Sequence, residues 1–193
     1  DRSDLDAAEV EADRLLCGMV SLQEELDWHV YRLYGVLSTD MTHAAPPAVR
    51  PGERAFEIVM ARRLAAGTLQ TRWFEWLKIT PVTEIPVHWP DDYRQLVQRR
   101  INLIETERNI ALIESFACKR RWEVSSWPER EQAALREWLL DRLEAPRLWP
   151  ASDEQPAQLV SVRRLADAVA HDADFLQVAE LYAGQAGFDL LRL

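Results

Sequence analysis

The sequence predicts an all-α fold: a helical domain built on one long N-terminal helix, with proline-rich connections. Three observations predict it. Apolar residues recur at three- and four-residue steps through several long stretches. Prolines gather in the connections 38–51, 80–90 and 145–158, where they deny a helix and favour extended chain that wraps a surface rather than pairing into sheets. Capping residues and acidic first turns precede several of the periodic stretches.

The long helix covers Leu5 to Leu37. Its apolar positions Leu5, Ala8, Ala12, Leu15, Met19, Leu22 and Leu26 form a heptad seam, which predicts packing against another helix. Val30, Leu33 and Leu37 continue the apolar pattern. Ser3 and Asp4 are the expected N-caps, and Gly35 the stop, because glycine adopts the left-handed conformation without steric cost. A second helix is expected over Glu53–Ala66, with Phe56, Val59, Met60 and Leu64 inward and Gly67 as its stop. The charged start of this helix, Gly52 to Glu57, reads as an ordinary surface pattern. Thr68 to Ile79 predicts a short helix carrying Trp73, Phe74 and Trp76, a core edge or an interaction patch.

Asp91 to Glu107 is the clearest later helix: acids fill its first turn, and Tyr93, Leu96, Val97, Ile101 and Ile104 form its buried stripe. The apolar phase slips near Arg108, predicting a break. Ser126 and Glu129 form a capping-box pattern opening a helix over Trp127–Glu144, with Ala134, Leu135, Trp138, Leu139 and Leu143 inward. After the loop to Gln158, Ser161 caps a helix to about His171. Asp172 or Asp174 caps another to Ala183, stopped by Gly184, completing a helical hairpin. The expected organisation is a coiled-coil-like helix over 1–37 and a helical domain over 52–193. The apolar ending Phe188–Leu193 leads us to expect a fragment of a larger protein.

Bulk properties narrow the function. The 193 residues suffice for one sizeable core or two small ones. Cys17 and Cys118 are too few for a disulfide framework and suit a reducing cytoplasm, the expected location. No apolar run reaches membrane-spanning length, and no signal peptide is expected from Asp1-Arg2-Ser3-Asp4. His29, His43, His88 and His171 are scattered, so no metal site is expected. The net charge of −9 argues against a general nucleic-acid binder, but the charge is uneven. Residues 1–27 carry nine acids against Arg2 and Arg14, giving −7, whereas 94–121 is net positive. Arg99, Arg100, Lys119, Arg120, Arg121 and Trp122 are therefore the candidate DNA or partner contacts, since guanidinium groups pair with phosphate and an indole can stack on a base. The competing reading places the basic residues against a helix dipole and Trp122 in the core. No phosphate-cradling glycine motif, nucleophile elbow or assignable nucleophile–base pair is present, so the segment is not expected to be catalytic.

Leu26-Asp27-x-x-Val30-Tyr31-x-x-Tyr34-Gly35 resembles a helix-end signature of large adenine-specific DNA methyltransferases, including type IIG restriction-modification proteins. Further segments extend the likeness: Gly52-Glu53-Arg54-Ala55-Phe56-Glu57-Ile58, Trp89-Pro90-x-x-Tyr93-Arg94, Arg99-Arg100-Ile101, Leu112-Ile113-Glu114, Lys119-Arg120-Arg121-Trp122, and Phe175 to Tyr182. In this order they resemble the region following the catalytic and target-recognition parts of the PglX family, the adenine-specific DNA methyltransferases of phage growth limitation (BREX type 2) systems. The resemblance implies a parent enzyme that uses S-adenosylmethionine to methylate adenine in DNA alongside other phage-defence proteins. The family's catalytic and cofactor motifs are missing here, so it implies an accessory domain with no cofactor of its own. Two roles remain open: holding DNA, or serving as a protein–protein scaffold that docks other defence components, or the rest of its own chain and its catalytic part, through the long helix and exposed tryptophans.

Overall fold

A computed structural model describes residues 1–123, 125–149, 159–185, 187 and 190–192. Among these the regular elements are all helical. They are α1 (Arg2–Leu33), α2 (Ala55–Ala65), α3 (Trp73–Trp76), α4 (Asp91–Thr106), α5 (Arg108–Ile113), α6 (Trp127–Leu143), α7 (Val162–Val169) and α8 (Ala173–Ala183), with one-turn 3₁₀ helices at Pro146–Leu148 and Leu190–Arg192. No helix among the described residues is long and apolar enough to cross a membrane.

Contacts divide the chain into two units, Val10–Val124 and a second made of Asp1–Glu9 with Ser125–Leu193. The division does not fall in the 38–51 connection, because that connection is fastened to its own unit. Met41 and Val49 are buried. The Ser21 hydroxyl donates to the Pro47 carbonyl at 2.7 Å, and the Trp89 indole donates to Ala48 at 3.1 Å.

The larger unit packs α1, α2 and α4 around Val20, Trp28, Phe56, Ile58, Trp73, Tyr93 and Ile101. Each such large apolar side chain contributes about 1.5–3 kcal/mol by leaving water. The heptad seam expected to pack α1 does not face this core. Leu15, Met19, Leu22 and Leu26 are exposed, and the buried face carries Cys17, Val20, Ser21, Glu24, Glu25 and Trp28. An apolar-only reading misses that face because two of its residues are carboxylates with cationic partners. The helix begins at Arg2, and the Asp1 carboxylate caps it by accepting from the Asp4 amide at 3.1 Å. It ends before Gly35, which takes φ +70°.

Helix α2 starts two residues later than expected and is buried continuously from Ala55 to Ala61. Helix α3 is a single turn, in which Trp73 and Phe74 face inward. The predicted break near Arg108 separates α4 from α5.

In the smaller unit, α6 opens with the Ser126–Glu129 capping box. Leu139, Val169, Phe175 and Ala179 form its core. Ala134, expected inward, is exposed. The Ser161 hydroxyl accepts from the Arg164 amide, and the Asp172 carboxylate accepts from the Phe175 amide. Gly184 ends α8 at φ +69°. The loop expected through 150–158, and Phe188 and Asp189 near the chain end, lie outside the described residues.

Candidate nucleic-acid interface

Buried charges build this site from below. Glu24, Glu25, Arg54, Glu57, Arg100, Glu114 and Lys119 are all buried in the larger unit. Arg54 and Glu57, read from sequence as surface residues, meet at 2.8 and 3.0 Å in a two-pronged pair. Glu57 also accepts from the Trp73 indole at 2.9 Å, which fixes the single turn of α3 against α2. Arg100 donates to Glu25 at 2.7 Å and to the Met41 carbonyl at 2.9 Å. Lys119 donates to Glu114 at 2.6 Å and Asp27 at 2.7 Å, and its ammonium lies 3.4 Å from Glu24. Isolated charges at such depth would be strongly disfavoured; these persist because each faces an opposite charge, although Glu25 Oε1, Arg100 Nη1 and Glu114 Oε2 make no hydrogen bond.

The pairing sets the protonation of the cluster. Burial pushes the Glu114 carboxyl up to about 7, although Lys119 beside it pulls the other way. Burial would also raise Glu24, but Lys119, Arg100 and Arg54 bring it below the ordinary carboxylate range. Burial would lower the Lys119 ammonium, but Glu24 and Glu114 hold it well above its usual value. Burial, reinforced by Glu114, raises the Tyr31 phenol, which donates to that carboxylate at 2.7 Å.

The signature residues of α1 divide accordingly. Asp27 and Tyr31 reach the Lys119–Glu114 cluster. Val30 is half-buried, Leu26 and Tyr34 are exposed, and Gly35 turns the chain. The chemistry of this motif is therefore structural: it clamps the segment that follows Glu114.

That segment carries the basic residues. Lys119 and Trp122 are buried, and Arg54 donates to the Arg120 carbonyl at 3.0 Å. With Lys119 and Trp122 held inside on either side of them, the Arg120 and Arg121 side chains remain exposed. Arg120 lies over Trp122 at 4.2 Å, and Arg121 over Trp76 at 4.7 Å. Trp76 also has the Arg72 guanidinium 5.8 Å from its ring centre. Trp76 is 40% exposed and Phe116 48%. With Gln70, Thr71 and Arg72 they line an open cleft of about 400 Å³. Phe116 also borders a smaller cavity of about 90 Å³ beside Arg63.

The six basic-segment candidates thus separate. Arg120 and Arg121 face solvent, Arg121 over the Trp76 ring that lines the cleft and Arg120 over Trp122. Arg100, Lys119 and Trp122 are buried, the first two paired with carboxylates, and so do not present themselves to a surface ligand. Arg99 is exposed on α4 but does not line the cleft. Sequence reasoning missed Arg72 and Phe116 as members of this group. The cluster Trp73-Phe74-x-Trp76 was the available signal, since one turn of helix that buries its first two aromatics turns the third outward. An exposed indole flanked by guanidinium groups can stack a planar base and pair with a phosphate. No group of three or more His, Cys, Asp or Glu residues arranged to hold a metal occurs among the described residues.

A helical module whose larger unit carries a basic, aromatic-lined cleft and a buried ionic clamp is the class that these features define. The chain belongs to the family described as a domain of unknown function, DUF7008, whose model matches residues 19–193. It is also similar to the adenine-specific methyltransferase PglX of Streptomyces coelicolor, with 46% identity over 171 residues. The match covers 86% of this chain but 14% of the relative's length. No solved structure matches the chain.

Proposed function

We propose that this chain is a non-catalytic accessory module of an adenine-specific DNA methyltransferase acting in phage defence of the phage growth limitation (BREX) type, and that it helps that enzyme hold DNA. The observation carrying the reading is the cleft in which Trp76 and Phe116 stand exposed beside Arg72 and Arg121. On a chain of net charge −9, such a local group supplies the few phosphate contacts that overall electrostatics does not. Methyl transfer and S-adenosylmethionine binding belong to the rest of the longer enzyme. Support comes from the similarity to a methyltransferase of which this chain covers 14%.

The test is fluorescence anisotropy with a labelled DNA duplex across a salt series. Contacts from Arg72, Arg120 and Arg121 correspond to roughly three phosphates, so affinity should fall about 40-fold between about 50 and 200 mM salt. The Arg120→Glu/Arg121→Glu variant, checked for folding by circular dichroism, should lose binding. Absence of binding to duplex at low salt refutes the DNA-holding role for this chain. The second reading, a protein–protein scaffold for other defence components without DNA contact, is favoured by the exposed apolar face of α1.

A further inference from the structure

Helix α1 has two apolar faces. One enters the core through Val20 and Trp28. The other carries Leu15, Met19, Leu22 and Leu26, which are 50%, 50%, 65% and 53% exposed. Their steps of four, three and four place them in one row, opposite the core. The row is also bare of charge. Between Arg14 and Asp27 the charged residues of α1 are Glu24 and Glu25, and both are buried. A helix face that meets water ordinarily carries charged residues. This one presents only apolar side chains and Gly18, where an added Cβ would meet nothing within 4 Å.

We infer that the outward face of α1 from Leu15 to Leu26 docks an amphipathic helix belonging to the rest of the longer methyltransferase polypeptide. The spacing fits knobs from a helix rather than the edge of a strand or a nucleic acid. Charge depletion is the mark of a permanent contact; transient partners meet surfaces as polar as the remainder of the protein. The matched relative has ample chain to supply the helix, since the shared region is 14% of its length. A second copy of this chain is disfavoured by like charge: the first 27 residues hold nine acids against two arginines, and pairing two such helices in parallel sets these acids side by side. The inference rests on the reading of this chain as a module of a longer methyltransferase and on the α1 face, not on the cleft, so loss of DNA binding leaves it standing.

The experiment places this chain in the Streptomyces coelicolor methyltransferase in exchange for its matched 171-residue stretch. A Leu22→Cys substitution, made with Cys118→Ser so that buried Cys17 is this chain's other thiol, reports access of a maleimide, read at residue 22 by peptide mass spectrometry. Labelling should be at least tenfold slower in the chimera than in the isolated chain; equal rates overturn the proposal. Leu22→Glu gives a second readout. It should leave the melting temperature of the isolated chain unchanged and lower that of the chimera; no change in the chimera overturns the proposal too. Sedimentation equilibrium should find the isolated chain monomeric. A dimer that Leu22→Glu dissociates would assign the face to a second copy instead.

Discussion

Replacing Lys119 with methionine tests whether the buried ionic clamp holds the larger unit together. The ammonium lies 2.6 Å from Glu114, 2.7 Å from Asp27 and 3.4 Å from Glu24, with its side chain 3% exposed. Methionine fills nearly the same volume, so packing loss is small and the electrostatic change dominates. Glu24 and Glu114 are left buried without the cation nearest them. Removing one partner from a buried ion pair costs about 3–5 kcal/mol, a large share of the roughly 5–15 kcal/mol that holds a domain folded. With a urea slope of about 2 kcal/mol/M, the unfolding midpoint should fall by about 1.5–2.5 M. The penalty should also grow with pH, because without Lys119 the two carboxyls escape their burial at low pH by taking up protons. Urea titrations of both proteins at pH 5 and pH 8 make the measurement. A loss below about 1 kcal/mol at pH 8, or one equal at the two pH values, would refute the claim that the cation is needed to keep these carboxylates inside.

Other outcomes follow from the same structure. Glu114 has an ordinary value of 4.5 and a folded value pushed up to about 7, so its contribution to stability is full below about 4.5 and disappears as pH rises through 7; Glu114→Gln should flatten the urea midpoint between those limits relative to the parent. Arg100→Met strands Glu25 and the Met41 carbonyl, and should destabilise by about 3–5 kcal/mol in the same assay. Gly52→Ala should lower the melting temperature, because the residue sits at φ +97° with the new Cβ 2.7 Å from Ile79 Cδ1, a strain of about 1–3 kcal/mol. Gly18→Ala, mid-helix with open space around it, should raise the melting temperature through a gain of about 1 kcal/mol.

The helices were legible because their signals are local. The Ser126–Glu129 capping box, the acids opening α4 and the glycine after α8 each act within a turn of the residues they order, and each appears where the pattern placed it. Which side of a helix faces inward is not a local property. On α1 the seven apolar positions pointed one way and the core lies the other, since Glu24 and Glu25 enter it with Arg54, Arg100 and Lys119, residues 29 to 95 positions away. No window of sequence reveals a carboxylate's partner at that separation. The same limit applies to the basic segment. Lys119-Arg120-Arg121-Trp122 reads as one patch, yet the fold takes its first and last residues inside and leaves the middle pair out.

That arrangement explains why so much charge is buried in the larger unit. The segment after Glu114 has no regular structure from Arg120 to Glu123, and so no ladder of backbone hydrogen bonds of its own. Apolar contacts alone are non-directional and would let such a segment slide. Charge-assisted hydrogen bonds are directional: Arg54 on the Arg120 carbonyl, and Lys119 on Glu114 and Asp27, fix both the position and the rotation of the chain. A hydrophobic replacement of the whole cluster of similar volume can match its stability, as buried ion pairs elsewhere do. It could not specify which side chains of the segment turn outward. Positioning Arg121 over Trp76 is therefore what the clamp accomplishes beyond holding the unit folded, and a stable all-apolar redesign that no longer set Arg121 on that ring would separate the two roles.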